Sequence, residues 1–108
     1  MTAPSPRLGV EVTDDGDSAL VRVSGEVDLE SSPELRDELR RLIEAGCRRI
    51  AVDLAGVSFM DSTGLGVLAR ALRRAREQGS DLVLTSPQPA VQKILEITQL
   101  VKVFTIEE

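Results

Sequence analysis

The chain has no histidine, tryptophan or tyrosine, one cysteine and two phenylalanines in 108 residues. Each shortage removes a class of chemistry. Without an imidazole, neither Ser-His or Cys-His nucleophilic pairs nor the usual zinc-ligand sets can be assembled. With Phe59 and Phe104 as the only aromatics, there is no platform on which bases could stack. The lone thiol, Cys47 beside Gly46, reads as a small buried apolar residue rather than a reactive one, and it suits a reducing compartment. The opening stretch from Met1 to Arg7 lacks an apolar signal core, and no run of about 18 apolar residues occurs anywhere, so secretion and membrane spanning are not expected. The expected location is cytoplasmic.

What is present describes one domain with one core. A chain of this length buries roughly two-thirds of the surface its unfolded form exposes, and the 42% hydrophobic content is supplied mainly by Leu, Val, Ile and Ala. The formal net charge of −5 repels phosphate backbones unless the basic residues are strongly segregated. A protein partner therefore fits better than nucleic acid. No cofactor or metal set is visible, and no acid–base pair marks the chain as an enzyme.

Along the chain, residues 1–7 with two prolines read as a flexible terminus, and structure is expected over residues 8–108. Leu8, Val10 and Val12 alternate with Gly9, Glu11 and Thr13. Asp14-Asp15-Gly16-Asp17 then supplies a turn, and Ala19 to Ser24 resumes as a strand, which makes a β-hairpin stopped by Gly25. Ser32 reads as a helix N-cap, Pro33 as the first helical residue and Leu35, Leu39, Leu42 and Ile43 as the buried stripe, with Gly46 closing the helix. On its outer face Asp37 and Glu38 are both spaced to pair with Arg41. Ile50 to Leu54 is a buried strand leading through a short connection, Ala55 to Met60, into Asp61. A second helix begins near Ser62, buries Leu65, Leu68, Ala69 and Leu72, leaves Arg70, Arg73 and Arg74 outside that stripe, and ends at Gly79. Asp81 to Thr85 forms another apolar strand, Val91, Ile94, Leu95 and Thr98 a third helical stripe, and Val101 to Ile106 an edge strand or a docking turn. The two crossovers place strands in parallel. The fold class is α/β, a mixed central sheet of four or five strands with an N-terminal hairpin and helices chiefly on one face.

The sequence Asp61-Ser62-Thr63-Gly64-Leu65-Gly66 places small and hydroxyl-bearing residues at the start of the second helix, on the rim of the sheet. Two readings stand side by side. In the plainer one, Asp61 or Ser62 caps the helix and Gly64 and Gly66 permit close packing. In the other, Ser62 lies in the positive field of a helix N-terminus, where a phosphoryl group meets free backbone N–H donors and changes docking rather than the fold. The dinucleotide pattern G-x-G-x-x-A also fits Gly64 to Ala69, but it starts inside the helix. Leu84, Thr85 and Ser86, about 20 residues on, supply no acidic ribose ligand, and no Walker lysine follows.

With its context, Asp53-Leu54 and Val57-Ser58-Phe59-Met60, this motif resembles the signature of bacterial anti-sigma factor antagonists, the STAS-domain family. Gly25-Glu26-Val27-Asp28 is similar to that family's first loop, and the likeness runs from about Leu8 to Ile106. The resemblance implies a non-enzymatic partner-switching phosphoprotein of transcription regulation. Unphosphorylated, it would bind an ATP-dependent anti-sigma factor serine kinase and release a sigma factor, and phosphorylation at Ser62 would reverse this. A phosphatase would then be a further partner. Thr63 holds a position where relatives carry serine or threonine. Asp61 is assigned to the helix start and to orienting the acceptor hydroxyl, and Gly64 and Gly66 to close approach. Asp28 is assigned to the neighbouring rim, with a turn aspartate bonding its own backbone as the equal alternative. A monomer or weak dimer, without membrane or nucleic-acid binding, is expected. The competing assignments are a STAS accessory subunit of a lipid or anion transport system and a small-ligand or nucleotide-binding domain.

Overall fold

The structure is a computed structural model that describes residues 8–107. The expectation of a flexible terminus over residues 1–7 lies outside the described residues. Strands Gly9–Asp14 (β1) and Ser18–Val27 (β2) form the hairpin. Its turn is held by Asp15 Oδ1, which accepts from the N–H of Asp17 at 3.0 Å and of Ser18 at 2.8 Å, with Gly16 in the left-handed region at φ 94°. β2 does not stop at Gly25. That glycine, at φ 87°, sits beside a slip in the pairing of β2 with the next strand, and the strand continues to Val27.

Helix α1 spans Ser32–Glu44 and begins one residue earlier than expected, with Ser31 rather than Ser32 at the N-cap position, where its side chain makes no capping bond to the helix. It buries Leu35, Leu39, Leu42 and Ile43, and Gly46 closes it at φ 88°. Glu38 pairs with Arg41 at 2.9 Å, whereas Asp37 pairs with its neighbour Arg36 at 3.1 Å instead of with Arg41. Cys47 is buried, as a small apolar residue would be.

Strand β3 runs from Arg49 to Met60, so the expected connection over 55–60 is strand. The cause is in the pairing with β2. Arg22 and Ser24 pair with Asp53 and Gly56, and Gly25 and Glu26 with Val57 and Phe59, so β3 carries one surplus residue at each slip. Burial then falls on Leu54, Val57 and Met60, every third residue, which masks the strand's usual two-residue alternation.

Helix α2 is Ser62–Glu77, strand β4 Asp81–Thr85, helix α3 Pro89–Ile97 and strand β5 Thr105–Glu107, reached through a short 3-10 turn at Leu100–Lys102. The C-terminal segment is thus both a docking turn and an edge strand. α2 buries Val67, Ala71 and Ala75 beyond the expected stripe, because it packs on α1 as well as on the sheet, and Ala69 is only half-buried. In α3, Val91 and Leu95 are buried, while Thr98 is exposed and donates its hydroxyl to the Ile94 carbonyl at 2.8 Å.

The five strands lie in sequence order, β1 antiparallel to β2 and the rest parallel. Successive right-handed crossovers in one direction keep the helices on one face. There Ala19, Val21 and Val23 align with Ile50 and Val52 and with Leu82 and Leu84, all buried. The opposite face is polar around an apolar row of Leu20, Ala51 and Val83, and carries ion pairs of Arg22 with Asp53 and of Arg49 with Glu107. By register the second pair crosses β4 diagonally over Val83, which is 1% exposed. This layout brings the carboxyl ends of β2 and β3 and the start of α2 to one rim.

Candidate functional site

Main-chain pairing fixes where α2 begins. The N–H of Asp61 donates to the Val27 carbonyl at 3.1 Å, which ties the end of β3 to the end of β2. Asp61 then caps the helix from an extended conformation: its Oδ1 accepts from the N–H of Thr63 at 2.9 Å and of Gly64 at 3.1 Å, and its carbonyl accepts from Leu65 N–H at 3.1 Å. Ser62 is therefore the first helical residue. Its side chain is exposed, and among the described residues its hydroxyl forms no hydrogen bond.

That geometry revises one expectation. The N–H groups of Thr63 and Gly64 are not free donors for a phosphoryl group, because the Asp61 carboxylate holds both. A dianion on Ser62 Oγ would sit beside that carboxylate, so the favourable helix field is already partly neutralised there. Thr63 is half-buried.

The two glycines differ. Gly64 is buried against the strand ends, where an added Cβ would stand 2.7 Å from Val27 Cγ1 and 2.8 Å from Met60 Cγ, so its close approach is to the chain's own core. No pyrophosphate could reach it. Gly66 has no neighbour within 4 Å of an added Cβ, so it serves no internal close approach. One helical turn beyond Ser62, it leaves bare backbone on the same helix face.

Asp28 lies in the loop that ends β2. Its Oδ1 accepts from the N–H groups of Glu30 at 3.1 Å and Ser31 at 2.9 Å and from the Ser31 hydroxyl at 3.0 Å. The Ser31 oxygen in turn accepts from Asp28 N–H at 2.9 Å and lies 3.0 Å from the Glu26 carbonyl. The Ser31 N–H, followed by its hydroxyl, holds the Asp28 carboxyl below its ordinary value. Asp28 is thus a turn aspartate on its own backbone, and it shapes the rim beside α2.

Two apolar side chains at this rim were not singled out by the sequence. Leu29 is 71% exposed in the same loop, and Phe59 is 48% exposed at the second slip of β3. Leucine and phenylalanine default to the core. Here the surplus residue Ser58 turns Phe59 outward between buried Val57 and Met60. The rim therefore combines an exposed serine, a bare helical turn, carboxylates held by their own backbone and exposed apolar side chains. No group of His, Cys, Asp and Glu suited to a metal ion occurs among the described residues. No helix there is long and apolar enough to cross a membrane.

The chain is similar to known proteins along nearly its whole length. The sequence profile described as "STAS domain" matches residues 9–108. The chain is 33% identical over 101 residues to an anti-sigma-B factor antagonist of Staphylococcus aureus, covering 94% of each chain. To the anti-sigma-B factor antagonist of Bacillus subtilis it is 33% identical over 99 residues, covering 92% of this chain and 90% of that one. Its structure is similar to the crystal structure of an anti-sigma factor antagonist from Mycobacterium paratuberculosis, with a TM-score of 0.86, 25% identity and coverage of 99% and 90% of the two chains.

Proposed function

This chain belongs to the STAS domain family, and from that premise we infer that it is an anti-sigma factor antagonist whose docking is switched at Ser62. Unmodified, the rim around Ser62 binds an anti-sigma factor serine kinase, which then gives up its sigma factor. The kinase transfers the γ-phosphoryl group of ATP to Ser62 Oγ. The new P–O bond forms as the bond to ADP breaks, and a base on the kinase takes the hydroxyl proton. Phosphorylation ends the docking, and a phosphatase would restore it.

The observation that carries this reading is the position of Ser62. It is exposed, its hydroxyl is uncommitted, and Asp61 fixes it at the start of a helix packed on the sheet and on α1. A phosphoryl group adds about −1.5 to −2 charges. It would stand next to the Asp61 carboxylate, with the Thr63 and Gly64 N–H donors already taken. At the centre of an interface, such an uncompensated charge costs several kcal/mol, on the order of a hundredfold or more in affinity. Gly66 lets a partner's backbone approach beside the serine, and Leu29, exposed in the loop that ends β2, supplies apolar contact.

The test is incubation with candidate anti-sigma kinases and ATP, with mass spectrometry of the peptide containing Ser62 and binding measured by calorimetry. Ser62→Ala should remain unmodified and still bind. Ser62→Asp should bind at least about a hundredfold more weakly. Equal affinity of wild type, Ser62→Ala and Ser62→Asp for a kinase that binds the wild type would overturn the switch.

A further inference from the structure

Charge on this chain is sorted by element. α2 carries Arg70, Arg73, Arg74 and Arg76 and no acidic residue before Glu77, although the whole chain has a formal net charge of −5. Arg70 and Arg74 lie one turn apart on the flank facing α1, and Arg36 and Arg40 lie one turn apart on α1. The four line a cleft of about 120 Å³ between the two helices, floored by Ile43, Val67 and Ala71.

Three of these guanidinium groups are uncompensated. Arg36 pairs with Asp37 at 3.1 Å, but no carboxylate lies within 4.0 Å of Arg40, Arg70 or Arg74 among the described residues. All three side chains are exposed, so packing does not require them. Their gathering costs mutual repulsion and focuses a positive field on an apolar notch. The notch selects among anions. A phosphate backbone would satisfy the arginines and leave the floor uncovered, and the cleft has room for one aliphatic side chain rather than for a duplex or a strand.

We propose that the cleft between α1 and α2 docks an acidic peptide segment of a protein partner, with one aliphatic side chain on the Ile43–Val67–Ala71 floor and flanking carboxylates on Arg40, Arg70 and Arg74. Arginine suits this because its planar fork binds a carboxylate through two parallel hydrogen bonds. The cleft is about 12 Å along α2 from Ser62, at roughly 1.5 Å per residue. It is defined by its own charge and shape, and it should work whether or not Ser62 is modified.

The probe is a fluorescein-labelled peptide with one leucine flanked on each side by two glutamates, titrated into the full chain and followed by anisotropy. Binding should saturate, weaken as salt shortens the screening length, and fall by about tenfold or more in Arg70→Gln/Arg74→Gln and separately in Arg40→Gln. A peptide with serine in place of leucine should bind more weakly, and Ser62→Asp should bind the original peptide as wild type does. Circular dichroism checks that the arginine variants remain folded. Absence of saturable binding overturns the proposal, as do equal binding of the serine peptide, indifference to the arginine substitutions, and stronger competition by phosphatidylglycerol vesicles or a single-stranded oligonucleotide than by unlabelled peptide.

Discussion

Replacing Gly64 and Gly66 separately by alanine isolates packing from helix propensity, because both glycines lie in the first turns of α2. Alanine favours a helix interior over glycine by about 0.5–1 kcal/mol at either position. At Gly64 the new Cβ would stand 2.7 Å from Val27 Cγ1 and 2.8 Å from Met60 Cγ. Those side chains are 0% and 3% exposed, so neither can swing into solvent. Forcing a methyl group into such a contact costs about 1–3 kcal/mol. Gly64→Ala should therefore range from near neutral to a loss of about 2 kcal/mol once the propensity gain is subtracted. At Gly66 nothing lies within 4 Å, so only the gain remains. The two variants should differ by about 1–3 kcal/mol, with Gly66→Ala at or above wild type. Equilibrium urea unfolding followed by far-UV circular dichroism measures this, provided the slope is unchanged. Equal midpoints, or Gly64→Ala above Gly66→Ala, would refute the close seating of α2 on the ends of β2 and β3. Gly66→Ala should also weaken kinase docking despite its gain in stability, since its methyl group covers the turn beside Ser62.

Further outcomes follow from single side chains. Asp61→Ala removes the cap of α2 and should cost about 1 kcal/mol, lowering the melting temperature by roughly 4–8 °C, whereas Asp61→Asn should retain most of that stability. The Asp28 carboxyl lies below its ordinary 3.8, chiefly through Ser31. Its stabilisation is therefore present above the unfolded value and lost as pH falls through the lower folded value. Asp28→Asn should flatten part of the acid limb of melting temperature against pH, and an unchanged limb would contradict the assignment. Burial, and then the Asp14 carboxylate, push the Cys47 thiol up. It should react with a disulfide reagent only as fast as the protein opens, and instantaneous labelling of folded protein would show the burial to be wrong. Leu29→Ser should change stability by less than about 0.5 kcal/mol while reducing kinase affinity in calorimetry.

The parts of the fold legible in the sequence are those whose signals are local. The Asp15-Gly16 turn, the α1 stripe, Gly46, Gly79 and the apolar run of β4 each encode their element through backbone geometry or a single period. β3 is longer than its sequence pattern indicates because its pairing slips convert a two-residue alternation into burial at Leu54, Val57 and Met60, a spacing that belongs to no regular element. The buried face of α2 is wider than the sequence stripe because contact with α1 recruits Val67, Ala71 and Ala75. At the rim, the motif marked the start of α2, but which residue caps it, which glycine packs, and the outward placement of Leu29 and Phe59 depend on neighbours distant in sequence. The arginine cleft is of the same kind. Its residues come from two helices that only the fold sets side by side.

The hairpin tip offers a practical handle. β2 runs 10 residues from the tip to the rim, a span of roughly 33 Å at about 3.3 Å per residue. Gly16 is exposed and its added Cβ would meet nothing within 4 Å, and loop tips of this kind accept insertions. A biotin acceptor or fluorescent reporter spliced in there would tether the protein to a sensor chip with Ser62 oriented away from the support.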